Sequence, residues 1–457
     1  MNINELLLNI NDVRPEDVVR QTSVQTDADK QRYNSLGYNI QLTEQEFRDK
    51  LPGIEPNHIC YTKSLSQSSF YYNEETFAVA ALSLEMLLFG AYPIEQAVHA
   101  VQICEERAAQ MDYIASAICL PDGLRVDYLS SIVRSKGTNV PDLFKLYWEV
   151  YTTTDYGFRL DRDILDIVIS ACPVEEKKRI AQELAKQFGE DCGEVVLYRG
   201  GNDASLPYQE AFSWTTDVNV ANFFATRRGT SEGYIVKGVV PYEAIINAFL
   251  DEEREMEVIV DPDNVTVLDV IPVRGMEYIE ETLPDIIPMF QAYRDSMDDL
   301  DFAIRSEIHG KAHEARVLLL CLTLAEDLGL SKDDRRILAE AAVFHDTRRT
   351  NDGRDEVHGR DAATYYRRAV RNPDPIVEFL CEYHSLPDEM GYDAIGKNRA
   401  LRNNRKRVEL LFKVFKDADA LDRVRLGIRN LDLKQLRLPE SRSLTLVARI
   451  YLEQIKV

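Results

Sequence analysis

Apolar residues recur every three or four positions over much of the first 190 residues, a spacing typical of helices with one buried face. The clearest case lies in residues 92–119. Its repeating apolar positions are Ile94, Ala97, Val98, Val101, Cys104, Ala108, Met111 and Ala115. The apolar run at 76–92 contains Glu85 and predicts a buried helix rather than a membrane span. We therefore expect a helical N-terminal region over residues 1–190, whose function the pattern does not indicate.

From residue 194 the pattern changes to short apolar runs that are typical of strands. The predicted strands cover residues 194–201, 211–217, 233–240, 256–262 and 264–273. Residues 218–227 predict a helix capped by Thr216 or Asp217, and residues 241–249 predict a second helix that a proline opens. Strands and helices mix without the regular alternation of a parallel sheet, which favours an α+β class for this region.

The spacing turns helical again near residue 276. Residues 276–300 predict an acidic helical connector, and residues 301–457 predict an all-α domain. A chain of 457 residues is too long for one core, so we expect an α+β multidomain protein. Its predicted parts are a helical N-terminal region (1–190), a small mixed domain (191–275), the connector (276–300) and the all-α domain (301–457).

Charge is distributed unevenly along the chain. Residues 301–457 contain 29 Lys and Arg against 26 Asp and Glu, a net charge of +3, whereas residues 1–300 carry a net charge of −26. This shift supports a domain boundary near residue 300. The acidic first part would repel nucleic acid at long range, so any contact with nucleic acid would be local.

Composition also indicates a compartment. The seven cysteines show no CxxC pair and no regular spacing, which disfavours zinc knuckles and disulfide frameworks. The N-terminus lacks the basic and then apolar pattern of a secretion signal. We therefore expect a cytoplasmic protein with no membrane partner.

Three side chains in the strand-rich region suggest chemistry on a nucleotide. Arg199 stands beside two glycines at the end of a predicted strand, where a guanidinium can hold a phosphate while the backbone approaches closely. Ser213 on the next strand could fix a ribose. Glu257 could stabilise the positive charge that develops as a glycosidic bond breaks. A two-residue period would place Glu253 and Glu255 on the same strand face as Glu257, although a solvated strand edge gives the same pattern.

The ordered motifs "LYRGG", "SWTTD" with "ANFFATR", and "EMEVIVDP" resemble ADP-ribosyltransferases of the Arg–Ser–Glu type. The resemblance covers residues 190–275 and implies that NAD is a substrate. It implies that Arg199 binds the NAD pyrophosphate and that the Gly200 backbone holds the nicotinamide amide. Ser213 would orient the nicotinamide ribose and the catalytic glutamate.

The same resemblance assigns roles to the acidic and aromatic residues. Glu257 would be the catalytic glutamate, and Glu255 would activate the acceptor of ADP-ribose. Phe223 or Phe224 would pack near the nicotinamide, and Arg227 would make a second phosphate contact. The acceptor is an unknown protein or nucleic acid.

Histidines concentrate in the C-terminal region, where five of the seven lie between residues 309 and 384. Imidazole is the commonest ligand of divalent transition metals. His309 and His313 lie four positions apart, which predicts one helical face. His345 and Asp346 follow an apolar helix, where a buried carboxylate is costly unless a cation compensates it. A later apolar helix ends in three acidic residues, Asp417, Asp419 and Asp422.

This order of residues over 301–440 resembles the HD superfamily of metal-dependent phosphohydrolases. The resemblance implies a divalent metal (manganese, iron, nickel, cobalt or magnesium) and a phosphorylated small molecule or nucleotide as substrate. The implied ligands of a first ion are His313, His345, Asp346 and Asp419. His358 and His384 match the extra histidines of binuclear members, and His309 is interpreted as a supporting residue. Candidate phosphate contacts are Arg316, Arg348, Arg349 and Lys416.

Three hypotheses follow from the two resemblances. The first is a bifunctional enzyme with transferase and phosphohydrolase sites, in the setting of a bacterial toxin or a phage-defence factor. The second is an HD-type nucleotide phosphohydrolase whose strand-rich region is an inactive NAD-binding or nucleotide-binding regulatory module. The third is an interaction protein with two decayed sites, which the complete sets of reactive residues disfavour.

Overall fold

The structure is a computed structural model that mixes helices with two small sheets, which confirms the α+β multidomain class. It describes residues 18–63, 69–73, 79–82, 84, 92–118, 122–154, 161–189, 193–227, 229, 231–251, 255–353, 355–427 and 430–455. The chain divides into two compact units, Met1–Arg179 and Ile180–Val457.

The first unit contains a four-stranded antiparallel sheet followed by helices. Its strands, in sheet order, are β1 (Val19–Arg20), β2 (Ile59–Tyr61), β3 (Ser69–Tyr72) and β4 (Val79–Leu82). Its helices are α1 (Asp27–Ser35), α2 (Glu44–Lys50), α3 (Tyr92–Ala109), α4 (Tyr113–Ile118), α5 (Asp122–Lys136), α6 (Leu143–Thr152) and α7 (Arg162–Ser170). Helix α8 (Val174–Phe188) contains the boundary between the units.

The prediction of a helical N-terminal region is therefore wrong for its first part. The helical pattern predicted at 92–119 forms two helices, α3 and α4, which Met111 with a positive φ of 59° separates, and four strands lie between residues 19 and 82. The buried helix predicted at 76–92 is wrong at β4, and residues 76–78, 83 and 85–91 lie outside the described residues. Apolar runs of four residues occur equally in buried strands and buried helices, so periodicity could not separate them.

The second unit begins with a six-stranded antiparallel sheet in the order β10–β7–β5–β6–β9–β8. The strands are β5 (Glu194–Asn202), β6 (Ser213–Thr215), β7 (Gly233–Pro241), β8 (Ile245–Phe249), β9 (Glu257–Val260) and β10 (Thr266–Val273). Helix α9 (Val218–Thr226) packs on β5, and the Asp217 side chain caps it by accepting a hydrogen bond from the amide of Asn219. The helix predicted at 241–249 is wrong, because the β-branched Ile245 and Ile246 lie in β8, which pairs with β9.

The rest of the second unit is helical, as predicted. The helices are α10 (Met276–Ser296), α11 (Lys311–Asp327), α12 (Lys332–Phe344), α13 (His358–Ala369), α14 (Pro375–Tyr383), α15 (Asp388–Lys397), α16 (Arg399–Arg402), α17 (Arg405–Leu421), α18 (Pro439–Ser443) and α19 (Thr445–Gln454). Helix α10 covers most of residues 276–300, which were predicted to be helical. One apolar core runs from α9 and β7 through α10 to α19, so the sheet and the helices pack as one body.

Helix α9 is fixed to the helical part by polar contacts, of which two are half-buried and one is buried. The side chain of Asn219 donates to Asp432 at 2.9 Å and accepts from the Leu433 amide at 2.8 Å. The Oδ1 atom of Asn222 accepts from the Thr445 hydroxyl at 2.7 Å, and both side chains are buried. The C-terminal helices therefore position the helix that packs against β5.

Thr445→Val should lower the free energy of unfolding by about 1–3 kcal/mol, because it buries the Asn222 carbonyl without the Thr445 donor. Thr445→Ser keeps the hydroxyl and is the matched control, which should lose much less stability. Denaturant unfolding followed by circular dichroism measures both. Equal loss in the two variants would mean that packing of the methyl group, and not the hydrogen bond, holds α9.

Among the described residues, no helix combines the length and the apolar character that crossing a membrane requires.

Candidate functional site

Four of the residues predicted to act on NAD lie on three neighbouring strands. Arg199 and Gly200 lie on β5, Ser213 begins β6, and Glu257 begins β9. The register pairs Ser213 with Ile259. Glu257 lies two positions from Ile259 on β9, so Ser213 and Glu257 lie on the same face of the sheet. The Ser213 hydroxyl donates to Oε1 of Glu257, and the Arg199 guanidinium donates to the Ser213 carbonyl at 2.5 Å. The antiparallel pairing thus joins residues 58 positions apart in the chain into one constellation.

A cleft of about 320 Å³ opens beside this constellation. Its lining residues are Arg199, Gly200, Asn202, Ala204, Ser205, Leu206, Ser213, Phe224 and Arg227. The five residues predicted to bind NAD as a cofactor are among them, whereas Glu257, the predicted catalytic residue, is not. The Arg227 guanidinium lies 4.2 Å from the centre of the Phe224 ring, which leaves one cation and one aromatic face at the same wall. The volume lies within the range of about 300–1,000 Å³ that is usual for small-molecule sites.

Gly200 allows α9 to approach β5. A Cβ atom at this position would lie 1.7 Å from the carbonyl oxygen of Ala221 and 2.9 Å from the amide nitrogen of Ala225. Both are backbone atoms of α9, so no side-chain rotation could relieve the clash. The glycine therefore sets the distance between the two elements that carry Arg199 and Phe224.

Gly200→Ala is expected to displace α9, to lower the stability by about 1–3 kcal/mol and to remove NAD binding. Gly193→Ala is the matched control, because a Cβ atom at Gly193 meets nothing within 4 Å. Thermal unfolding and titration with NAD measure the two effects. A Gly200→Ala variant with unchanged stability and NAD affinity would show that the close packing of α9 on β5 is not needed.

Glu255 does not lie on the strand with Glu257, and this corrects the prediction of a two-residue period. Glu255 and Met256 have positive φ angles of 62° and 52° and form the turn that enters β9. The Thr215 hydroxyl donates to the Glu255 carbonyl at 2.8 Å, which holds the turn against β6. Glu253 lies outside the described residues. A turn that breaks the alternation cannot be recognised from the spacing of the glutamates alone.

The six predicted metal ligands come from five places in the helical part. His313 lies on α11, His345 and Asp346 follow α12, His358 begins α13, His384 follows α14, and Asp419 lies near the end of α17. The four imidazoles and Asp346 are each at most 5% exposed, whereas the Asp419 side chain is 28% exposed. The fold therefore collects residues spread over more than 100 positions into one buried cluster that opens near Asp419.

Hydrogen bonds orient each imidazole of this cluster. The Nδ1 atoms of His345, His358 and His384 lie 2.7–2.8 Å from the carbonyl oxygens of Ala342, Asp355 and Cys381, respectively. A carbonyl only accepts, so each of these Nδ1 atoms carries the proton and the Nε2 atom of the neutral ring is bare. Nδ1 of His313 lies 2.7 Å from the buried Asp422 carboxylate and is oriented in the same way. Such outer contacts are typical of histidines that bind metals.

The Nε2 atoms of these rings converge. Nε2 of His358 lies 2.9 Å from Nε2 of His384, and the two lie 3.1 Å and 3.4 Å from Oδ1 of Asp346. Nε2 of His313 lies 3.3 Å from Nε2 of His345 and 3.4 Å from Asp419. Among the described residues, Oδ1 of Asp346 is buried and accepts no hydrogen bond. Acceptors that face one another at these distances repel unless a cation lies among them.

The electrostatics of the cluster favour a cation. Burial lowers the pKa of His345 to about 3, so its ring is neutral and free to act as a ligand. Burial would raise the pKa of Asp346, but His345 and the neighbouring imidazoles outweigh it and hold that pKa well below its ordinary value. Burial would lower the pKa of His313, but Asp419 and Asp422 outweigh it and raise that pKa. A proton and a metal ion thus compete for Nε2 of His313, and either would compensate the buried carboxylates.

The cluster could hold a metal ion. One set of ligand atoms within 4.8 Å of one another comes from His313, His345 and Asp419, and another comes from His345, Asp346 and His384. Imidazole nitrogens with carboxylate oxygens suit zinc, iron, nickel or manganese, and the preference among them depends on geometry. The donor set therefore suits a divalent transition metal better than magnesium, which prefers oxygen ligands.

The three acidic residues at the end of α17 have different partners. Asp419 faces the imidazoles, whereas Asp417 is fully buried and accepts from the amides of Arg437 and Leu438 at 2.9 Å each. Asp422 accepts from His313 and from two nitrogens of Arg316 at 2.5 Å and 3.0 Å. Asp422 was not among the predicted ligands. Its contact with His313 connects two residues that lie 109 positions apart in the chain. Nothing in the spacing indicates that contact.

The four candidate phosphate contacts are mostly engaged elsewhere. Arg316 pairs with Asp422, and Arg348 pairs with Asp301 and stacks on Tyr365. Lys416 pairs with Asp388 at 2.7 Å. Only Arg349 among the four donates to the cluster, from Nε to Oδ2 of Asp346 at 3.0 Å. Arg425, which the sequence analysis did not single out, donates to Asp422 and to His309.

Comparison with protein-family models, with curated proteins and with solved structures identifies no match for this chain. Inference about function therefore depends on the geometry of the cleft and of the cluster, together with the sequence motifs.

Proposed function

We propose that the chain is a bifunctional enzyme that transfers ADP-ribose from NAD to a protein or nucleic acid and hydrolyses a phosphate ester at a divalent metal centre. The substrate of the hydrolase is a phosphorylated small molecule or nucleotide. The observation that carries the transferase is that Ser213, which lines the cleft, contacts both Glu257 and Arg199. The observation that carries the hydrolase is the convergence of bare imidazole nitrogens on Asp346.

In the transferase, the residues of the cleft act on the bond between the nicotinamide nitrogen and the ribose. Arg199 and Arg227 hold the phosphates, and Ser213 keeps the Glu257 carboxylate turned toward the ribose. The bond breaks with its electron pair leaving on nicotinamide, and the negative charge of Glu257 stabilises the sugar cation that remains. The nucleophile of the acceptor then bonds to the sugar and loses its proton to Glu255.

In the hydrolase, His313, His345, Asp346 and Asp419 would hold one ion. His358 and His384 would hold a second ion together with Asp346. When bound, a divalent ion lowers the pKa of a coordinated water and neutralises phosphate charge. Arg349 lies at the Asp346 carboxylate and supplies a cation for the phosphate of the substrate. Asp422 keeps the His313 ring in the orientation that directs Nε2 into the centre.

One experiment tests both activities on the full chain. The protein is incubated with NAD labelled in the adenylate part, and free nicotinamide and labelled macromolecules are measured. A parallel sample with manganese and bis(p-nitrophenyl) phosphate measures phosphodiester hydrolysis. Nicotinamide release with label transfer supports the transferase, and hydrolysis that a chelator removes supports the phosphohydrolase. Absence of both would contradict the proposal.

The alternative is a phosphohydrolase whose cleft binds NAD or a nucleotide without turnover. The specific observation in its favour is that Glu257 is not among the residues that line the cleft. This alternative predicts metal-dependent hydrolysis and saturable NAD binding with no nicotinamide release.

A further inference from the structure

His309 lies at the metal cluster but not on helix α11, which corrects the prediction that it shares a helical face with His313. Helix α11 begins at Lys311, and the amide of His309 instead donates to the Ser306 hydroxyl at 2.8 Å. The preceding carbonyl, that of Ile308, accepts from Arg425 at 3.0 Å. The segment is therefore held in place from both sides and directs the His309 ring toward Asp346.

The Nδ1 atom of His309 has two neighbours that define its protonation. A guanidinium nitrogen of Arg425 lies 3.3 Å away, and a guanidinium only donates hydrogen bonds. Toward Arg425, Nδ1 would be the acceptor nitrogen of the ring. The same atom lies 3.0 Å from Oδ2 of Asp346, which also accepts from Arg349 at 3.0 Å. If Nδ1 carries no proton, it and Oδ2 repel each other unless a cation lies among them, and a metal ion bound to both atoms would remove that repulsion.

We propose that His309 is a further ligand of the ion held by His313, with Nδ1 as its donor atom; this inference rests on the proposed metal centre. One ligand atom each from His309, His313 and Asp346 lies within 4.8 Å of the other two. The His309 side chain is 12% exposed, whereas the His313 side chain is 1% exposed. His309 is thus more exposed than His313, although less so than Asp419 at 28%.

The competing explanation is that Nδ1 carries a proton and only orients Asp346. A loss of metal affinity does not separate the two explanations, because residues that support ligands also change affinity by about 10- to 100-fold. A His309→Asn variant distinguishes the two explanations. The asparagine side-chain amide reaches the position of Nδ1 and can donate to Asp346, but it does not supply an imidazole nitrogen to the ion.

The test uses the full chain, stripped with a chelator and titrated with cobalt(II). Calorimetry gives the dissociation constant, and the visible absorption spectrum reports the ligands of the ion. His309→Ala and His309→Asn should both weaken the binding by about 10-fold or more and shift the spectrum in the same way. His99→Ala removes an exposed histidine of α3 and should behave like the wild type. Circular dichroism checks that every variant is folded.

The outcomes distinguish this inference from the proposed function. If His309→Asn restores the affinity and spectrum of the wild type, or if His309→Ala changes neither, His309 is not a ligand while the metal centre stands. If the wild-type protein binds no cobalt, the metal centre itself is overturned and His309 has no ion to bind. Matching losses in the alanine and asparagine variants, with an unchanged His99→Ala variant, support the ligand.

Discussion

Replacing Glu257 by glutamine is expected to lower the release of nicotinamide from NAD by about 100- to 1,000-fold, the usual cost of losing one electrostatic contact to a transition state. Glutamine keeps the size of the side chain and can still accept from the Ser213 hydroxyl, so the sheet should remain intact. What it loses is the negative charge that would stabilise the sugar cation. Chromatography of free nicotinamide measures the rate, and thermal unfolding measures the fold.

Glu255→Gln is the matched control for this experiment. Glu255 lies in the turn before β9 and not on the strand face with Ser213, so its role would concern the acceptor rather than the departure of nicotinamide. Its variant should therefore retain nicotinamide release and lose label transfer. A Glu257→Gln variant that releases nicotinamide at the wild-type rate would exclude Glu257 as the catalytic glutamate. Of the two proposed sites, only the metal centre would then remain.

The contrast between these glutamates shows what the strand motifs could and could not predict. Each of the three motifs predicts one strand, and these strands carry Arg199, Ser213 and Glu257. Antiparallel pairing in the sheet brings the three residues together. The position of Glu255 was wrong because a turn with two positive φ angles interrupts the alternation. That turn depends on a contact with Thr215, 40 positions away, which local spacing does not encode.

The same limit applies to the metal cluster. The concentration of histidines predicts a metal site and the family resemblance implies its ligands, and the fold brings those side chains together. The residues that contact the ligands from outside, Asp422 and Arg425, could not be predicted. They reach His313 and His309 only through tertiary packing. His309 itself was placed on α11 because its spacing from His313 is helical, whereas the helix begins two residues after it.

In the first unit, short aromatic and apolar runs were the source of error. Strand β3 has the sequence "SFYY" and is buried throughout, so it shows neither the alternation of a half-exposed strand nor the length of a helix. Sheets of this kind form through pairing with distant segments, as β2 and β3 do here. Only the longer helices, such as α3 and α8, carry enough repeats for periodicity to identify them.

The largest effect at the metal centre is expected from Asp346→Asn. Asp346 is the residue that contacts both imidazole pairs, with Oδ1 toward His358 and His384 and Oδ2 3.7 Å from Nε2 of His313. Asparagine removes the charge that compensates the ions and places amide hydrogens among the ligand atoms. Binding of both ions should weaken by more than about 100-fold, and metal-dependent phosphodiester hydrolysis should disappear.

Thermal unfolding with and without manganese measures this loss independently of activity. A ligand at 100 times its dissociation constant stabilises a fold by about 2.7 kcal/mol, so manganese should raise the melting temperature of the wild type and leave that of Asp346→Asn unchanged. Asp361→Asn is the matched control, because Asp361 lies on α13 one turn from His358 and its side chain is 55% exposed. It should keep the full manganese response. An Asp346→Asn protein that manganese stabilises as strongly as the wild type would exclude Asp346 as a ligand, because its carboxylate would then contribute nothing to holding either ion.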